Sequence, residues 1–415
     1  MKRLIRFARA IHADSLYRNS LYLMAAKFIM ATLGFVFWTV NARLHTPAEI
    51  GLATTLISLT SLITSFSLLG FNAAIIRFLP GEGDRNGFVN SAYGVVAVAA
   101  FVIALGFLFN IERISPSLAF IKTSPVFMLS LAVFLVVASL QALTDSIFTA
   151  LRNARYTLVS AAVFSVGKII FTLLLSVLGA YGIFYAYVVS VNLALVISMG
   201  ILTLIFGIPF LPRIRTGEIR KVWRFAGGNY LAGIIGMLPA AITPLLITNR
   251  LGAETTAYYY MPSMIIQLLL TVPRATTLSV FTEGSHKESD LKQLVFKAFK
   301  SMYSILIPAV SAVILLGEPI LEVFGKTFAA EGITYLKLAC AAVLVSSVNY
   351  LFGPVYNVRK KVHANIIQNS LNAAVSLSLL TIFLSSGLTG IGIAAIISNI
   401  IMIFSNLFLI KIIKK

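Results

Sequence analysis

Twelve stretches of roughly twenty apolar residues divide this chain, and no soluble fold accommodates such a series. In the first half they lie at about 21–42, 51–76, 88–111, 125–151, 157–178 and 182–206. The second half continues at about 225–248, 258–280, 302–325, 338–358, 366–385 and 391–410. A helix of that length, rising ~1.5 Å per residue, crosses a hydrocarbon core about 30 Å thick. None shows the alternation of a membrane β-strand. The expected fold class is an all-α polytopic membrane protein with about 12 transmembrane helices. Composition agrees, since 59% of the 415 residues are hydrophobic and 11% charged, against about 25% charged in a soluble domain. The lone Cys340 permits no intrachain disulfide. His12, His45, His286 and His363 are too scattered for a metal site, and no metal or cofactor is expected.

The 33 Lys and Arg against 14 Asp and Glu give a net charge of +19. On a soluble chain that excess would point to nucleic acid. Here the basic residues lie between apolar stretches and report orientation instead, so no nucleic-acid partner is expected. With the N-terminus in the cytoplasm, 24 basic residues fall in cytoplasmic segments and 6 in outer ones. That bias places both termini in the cytoplasm of a cell (plasma or inner) membrane. In residues 1–18, Lys2, Arg3, Arg6, Arg9 and Arg18 alternate with Leu4, Phe7, Ile11 and Leu16 at helical spacing. This pattern predicts either an interfacial amphipathic helix on anionic lipid or a basic tail that orients the first span.

An internal echo divides the chain at half its length. Asn41-Ala-Arg43-Leu44, followed by Glu49, recurs as Asn249-Arg250-Leu251, followed by Glu254. The offset between Arg43 and Arg250 is 207 residues, and each copy opens the first outer loop of its half. Six spans separate the copies, so the repeat is parallel. The segment Gly207–Arg224 carries Pro209, Pro212 and five basic residues, and is the natural divider. The expected organisation is a six-helix lobe over 1–206, a basic cytoplasmic linker over 207–224 and a second six-helix lobe over 225–415. A central cavity would lie between the two lobes.

The run Ala42-Arg43-Leu44, Glu49-Ile50-Gly51, Leu69-Gly70-Phe71 and Ile75-Ile76-Arg77-Phe78 resembles the opening of the polysaccharide biosynthesis protein family. That family comprises the Wzx-type flippases of the multidrug/oligosaccharidyl-lipid/polysaccharide exporter superfamily. Val323-Phe324-Gly325-Lys326 resembles its Phe-Gly loop, and Gly387-Leu-Thr-Gly390-Ile-Gly392 its glycine-rich turn before the last span. The likeness extends over nearly the whole chain. One departure is Val280-Phe281-Thr282-Glu283, where the family pattern has a proline. The resemblance implies a transporter that flips a polyprenyl-diphosphate-linked oligosaccharide, as in O-antigen and other cell-surface polysaccharide assembly. Its partners would be the lipid-linked glycan, membrane lipids and a coupling ion, H+ or Na+. It assigns Arg43, Glu49, Gly51, Gly70, Arg77, Gly325, Gly390 and Gly392 a mainly structural role.

Ionisable residues within spans cost about 2.5–3.5 kcal/mol each at the bilayer centre and so face a cavity, a partner or the interface. Lys27, Asp145 and Arg274 each lie about six residues, ~9 Å, from the inner end of spans 1, 4 and 8. Lys168 sits near the middle of span 5. Lys27, Lys168 and Arg274 are the expected substrate-binding cations of a cavity between the lobes, matched to a diphosphate. The alternative for Lys27 and Arg274 is snorkelling to the interface. Asp145 is either an ion-pair partner of one of these cations or a site for the coupling ion. Asn41, Gln141, Asn192, Gln267 and Asn349 suit sugar hydroxyls and helix-to-helix hydrogen bonds equally well.

Two rival functions are weaker. A membrane glycosyltransferase or polymerase needs a sizeable outer loop, whereas the longest, at about 112–124 and 326–337, span a dozen residues. No nucleophile elbow, P-loop or zinc spacing occurs, so no catalytic residue is assigned and an enzyme is not expected. A drug/cation antiporter of the same superfamily would offer carboxylates to its substrate. This chain sets one deep carboxylate against three deep cations.

Overall fold

The computed structural model describes residues 15–211, 216–286, 291–359 and 361–414. The expected amphipathic segment 1–18 lies outside them except for its last four residues. Every regular element in the described residues is helical, because a chain immersed in lipid must satisfy its backbone polar groups within each segment.

The helices, in chain order, are α1 Ser15–Leu44, α2 Pro47–Ser67, α3 Phe71–Phe78, α4 Arg85–Ile114, α5 Pro125–Ala150, α6 Arg155–Leu175 and α7 Ala180–Phe206. There follow α8 Thr216–Leu251, α9 Ala253–Leu269, α10 Thr271–His286, α11 Leu291–Glu322, α12 Lys326–Asn349, α13 Phe352–Val358, α14 Val362–Phe383 and α15 Gly387–Lys414. Eleven stretches of the described residues are long and apolar enough to cross a membrane. The last of them, His363–Lys411, contains both α14 and α15, so these stretches account for twelve crossings. Their lipid-facing character is direct: Val177, Leu204 and Leu315 are 80–90% exposed, a state that water penalises and acyl chains do not.

Three expected spans are broken. The stretch 51–76 divides at Leu69 and Gly70, both with positive φ (47° and 81°), before α3 begins. The stretch 258–280 divides between α9 and α10 at Leu270, and 338–358 between α12 and α13. Hydropathy alone does not register such a break, because the residues on either side are equally apolar. Two expected loops are helical instead. Residues 326–337 form the opening turns of α12, and α8 begins at Thr216, inside the expected linker 207–224.

The chain forms two units by contact. The first comprises residues up to Asn41 together with Leu59–Tyr230, and the second Ala42–Ser58 together with Leu231 onward. The first unit is built on a continuous core that includes Phe71, Ile75, Phe88, Tyr93, Ile147 and Phe148. Within it the Tyr93 hydroxyl meets Thr144 Oγ1 at 2.8 Å, since a phenol buried in lipid-facing helices needs a polar partner. In the second unit, Val280, Met302, Leu351 and Val355 pack together, beside a smaller cluster of Phe352, Tyr356 and Ala364.

Candidate functional site

Within the first unit, α1, α2, α5, α6 and α7 enclose a cavity of about 430 Å³. One wall is apolar, with Ala26, Ala138 and Ala142 beside the rings of Phe164 and Tyr187. These two rings meet edge to face at 4.9 Å. Polar side chains complete the lining. The sequence Thr60-Ser61-Leu-Ile-Thr64-Ser65 places its four hydroxyl residues at i, i+1, i+4 and i+5, one face of α2, and all four line the cavity. Gln141 and Asp145, also four apart, line it from α5, and Thr157 and Ser160 from α6.

A short hydrogen-bond relay fixes the acidic end. Gln141 Nε2 donates to Asp145 Oδ1 at 3.2 Å and to Ser160 Oγ at 2.7 Å. Both amide hydrogens of Gln141 are thereby used, while its Oε1, buried, has no protein partner. Thr64 Oγ1 and Thr157 Oγ1 are likewise buried without a partner. Buried polar groups are rarely left so, and three of them border one space.

The structure brings two of the four deep charges to this cavity: Lys27 and Asp145 both line it. They do not form an ion pair there, and the partners of Asp145 are neutral. Lys168 is buried one turn beyond Phe164 and is not on the wall. Its Nζ lies 4.9 Å from the ring centroids of both Phe37 and Phe164. Such cation–π contacts stabilise a desolvated ammonium by about 2 kcal/mol. The sequence placed Lys168 among the cavity cations; the aromatic clamp is a different solution, formed by rings 131 and 4 residues away. Arg274 belongs to the second unit, on α10, where its Nη2 donates to Gln267 Oε1 at 2.8 Å and its side chain is exposed.

The motif residues hold backbone geometry. Thr46 and Glu49 form a capping box at the start of α2: Thr46 N and Oγ1 donate to Glu49 Oε2 at 2.8 and 3.0 Å, and Glu49 N returns to Thr46 Oγ1 at 3.4 Å. A Cβ on Gly51 would stand 1.7 Å from the Ala253 carbonyl oxygen, so only glycine fits where α2 meets α9. Arg43 Nη2 donates to the carbonyls of Glu322 and Val323 at 3.5 and 3.0 Å, capping the end of α11. Arg77 lies 5.8 Å from the Phe78 ring. Gly70 takes the left-handed conformation ahead of α3, and Gly325 precedes α12. Gly390 and Gly392 approach the Phe383 carbonyl and Leu338.

The amides split by role. Asn41 Nδ2 bonds the Phe37 carbonyl at 2.7 Å and approaches Thr172, and Asn192 bonds the Val188 carbonyl. Asn349 joins Asn399 and Asn406. Only Gln141 of the five lines the charged cavity. Thr64, Thr157 and Ser160 were not singled out from sequence, although the hydroxyl stripe on α2 was legible there. Among the described residues no three His, Cys, Asp or Glu side chains gather to hold a metal ion.

The chain belongs to the polysaccharide biosynthesis protein family, whose sequence model matches residues 16–285. Its fold is that of solved transporters of the MOP superfamily. The lipid II flippase MurJ in an inward closed conformation superposes with a TM-score of 0.77 at 14% identity, over 94% of this chain and 87% of that one. An inward-facing multidrug resistance MATE family transporter gives 0.66 at 14% identity, over 95% of both chains. A MOP superfamily transporter from Pyrococcus furiosus, described as having a binding pocket of reverse polarity, gives 0.61 at 12% identity over 97% and 96%. No curated protein matches the sequence closely enough to carry an argument.

Proposed function

We propose that this member of the polysaccharide biosynthesis protein family is a flippase for a polyprenyl-diphosphate-linked oligosaccharide or a related anionic glycolipid. It moves the headgroup from the cytoplasmic to the outer leaflet of the cell membrane by alternating access, with both termini in the cytoplasm. The observation that carries this reading is a cavity lined by an ammonium, a carboxylate and a row of hydroxyls, inside a bundle whose exterior is apolar. A headgroup crosses in that space while its lipid chain stays in the bilayer. Lys27 neutralises part of the diphosphate, and Arg274, on α10 of the second unit, is a further cation available to an anionic headgroup. Lys168 supports the cavity wall through Phe164. The fold shared with a lipid II flippase favours the same substrate chemistry.

A second reading follows from Asp145, a carboxylate on the cavity wall without an ionic partner. It suits a coupling cation, H+ or Na+, or the cationic substrate of a drug exporter. Reconstitution decides between the two functions. Proteoliposomes holding a fluorescent polyprenyl-diphosphate oligosaccharide should lose inner-leaflet label in the presence of the protein, and the Lys27→Gln variant should slow that loss about tenfold or more. Transport of a cationic dye with no movement of the lipid-linked glycan would replace the flippase reading by the exporter.

A further inference from the structure

We infer that the cavity of the first unit contains a subsite for one neutral saccharide ring, seated on Gln141, Asp145, Thr64 and Thr157. This deepens, and rests on, the reading of the chain as a lipid-linked glycan flippase. Several hydrogen-bonding groups on its wall are unfilled. Gln141 is nine-tenths buried, its amide hydrogens are spent on Asp145 and Ser160, and its Oε1 accepts nothing from the protein. Asp145 accepts from Gln141 through Oδ1 and has Ser160 as a second side-chain partner, which leaves acceptor capacity on a carboxylate with two oxygens. Gln141 Oε1 can only accept, and so can Asp145 when ionised, so what completes them must donate. The Thr64 and Thr157 hydroxyls, free of protein partners, accept or donate as the ligand requires.

The class of ligand follows by elimination. At this end of the cavity an ionised Asp145 would repel phosphate. A lone metal cation fits poorly: the unpaired oxygens come from three helices around about 430 Å³, and the Lys27 ammonium lines the same space. That volume lies in the range of sites for small organic ligands. A pyranose has what the walls lack. Its hydroxyls donate to Gln141 Oε1 and Asp145, its ring and substituent oxygens accept from Lys27, and its C–H face lies against Phe164 and Tyr187. The diphosphate and the sugar are thereby separated, with Lys27 between the two chemistries.

The test exploits hydroxyls that hold nothing in the protein. Thr64→Val and Thr157→Val preserve shape and break no protein hydrogen bond, so the double variant should melt no lower than the parent. The parent, in lipid nanodiscs, is probed by saturation-transfer NMR with methyl β-D-glucopyranoside and with its 2-acetamido analogue. Transfer to ring protons should appear for at least one glycoside and weaken about 10- to 30-fold in affinity in the double variant, two lost hydrogen bonds' worth. A Thr157→Ser variant, which keeps the hydroxyl, should retain the signal. Equal transfer in the parent and the double variant would overturn the subsite. So would absence of transfer from a parent that flips the lipid-linked substrate, an outcome that leaves the flippase reading intact. Transfer in a parent that flips no glycolipid would instead preserve the subsite and remove the flippase.

Discussion

Around the cavity of the first unit, Gln141, Thr64 and Thr157 keep bonding capacity in reserve, whereas polar side chains at that of the second unit are spent on neighbouring carbonyls and side chains. The second cavity, about 200 Å³, is lined by Thr243, Ser376, Ser398 and Asn399 together with Tyr259 and Tyr335. No Asp, Glu, Lys, Arg or His lies on its wall. Thr243 bonds the Pro239 carbonyl, Ser398 the Ala395 carbonyl, and Tyr335 pairs with Ser263. Asn349 donates to the Asn399 carbonyl at 2.9 Å, Asn406 donates to Asn349 at 3.1 Å, and Tyr356 donates to Asn406. The same residue types thus do two jobs. Paired with each other they tie helices together; left facing a space they are ready for a solute. Polarity in a membrane bundle identifies a site only when the bonds have been counted.

The sharpest way to break this comparison is to remove chemistry from each side and read transport per folded molecule. A Lys27→Gln/Asp145→Asn double variant should reduce flipping about a hundredfold, two charge-assisted contacts being lost. Asn399→Leu, in the second unit, should leave the rate per folded protein within about twofold. Equal losses in fluorescent-lipid flipping would show that both cavities handle substrate.

Stability should follow the reverse pattern. Asn406→Leu removes bonds to Asn349 and Tyr356, and interhelical hydrogen bonds in membrane proteins contribute about 0.6 kcal/mol each, up to about 1.7. A lowered thermal midpoint is expected for Asn406→Leu, with no loss for Thr157→Val, whose hydroxyl bonds nothing in the protein. A smaller effect is expected at Lys168. Lys168→Met keeps a polarisable chain between Phe37 and Phe164, so flipping should fall by only about two- to threefold, well short of Lys27→Gln. A loss as deep as that of Lys27→Gln would return Lys168 to the substrate path.

The number of crossings and the presence of charges at depth were legible in the sequence, because hydropathy and ionisation are properties of single residues. The capping box was legible too: Thr46-Pro47-Ala48-Glu49 carries Pro at the first helical position and Glu at the third. What each deep charge touches was not. Lys168 required the rings of Phe37 and Phe164 to converge from two helices, and no spacing in the sequence relates them. The breaks at Leu69–Gly70 and Leu270 escaped for a different reason, since they interrupt the backbone without interrupting the hydrophobic run. Gly51 falls between these cases. Its presence was noted, but its necessity arises from a carbonyl 202 residues away.

The smallest effect comes from an exception inside the second unit. His45, between α1 and α2, has a side chain only 1% exposed, and its Nε2 has no hydrogen-bond partner. Its Nδ1 is 3.8 Å from Glu49 Oε2, an oxygen already accepting two bonds from Thr46. Burial lowers the His45 pKa below its ordinary 6.5, and the Glu49 charge offsets that only in part. The sign follows by linkage. Well above pH 6.5 neither folded nor unfolded chain protonates His45, and the residue adds no pH dependence. As the pH falls below 6.5 the unfolded chain takes up the proton first, so stability declines with acidification. His45→Gln should therefore flatten the acid limb of the melting profile between about pH 6.5 and 5, by about 1–2 °C, and leave the neutral limb unchanged. An unchanged acid limb would mean that His45 finds a partner on protonation, and that the second unit, like the first, holds a polar group in reserve.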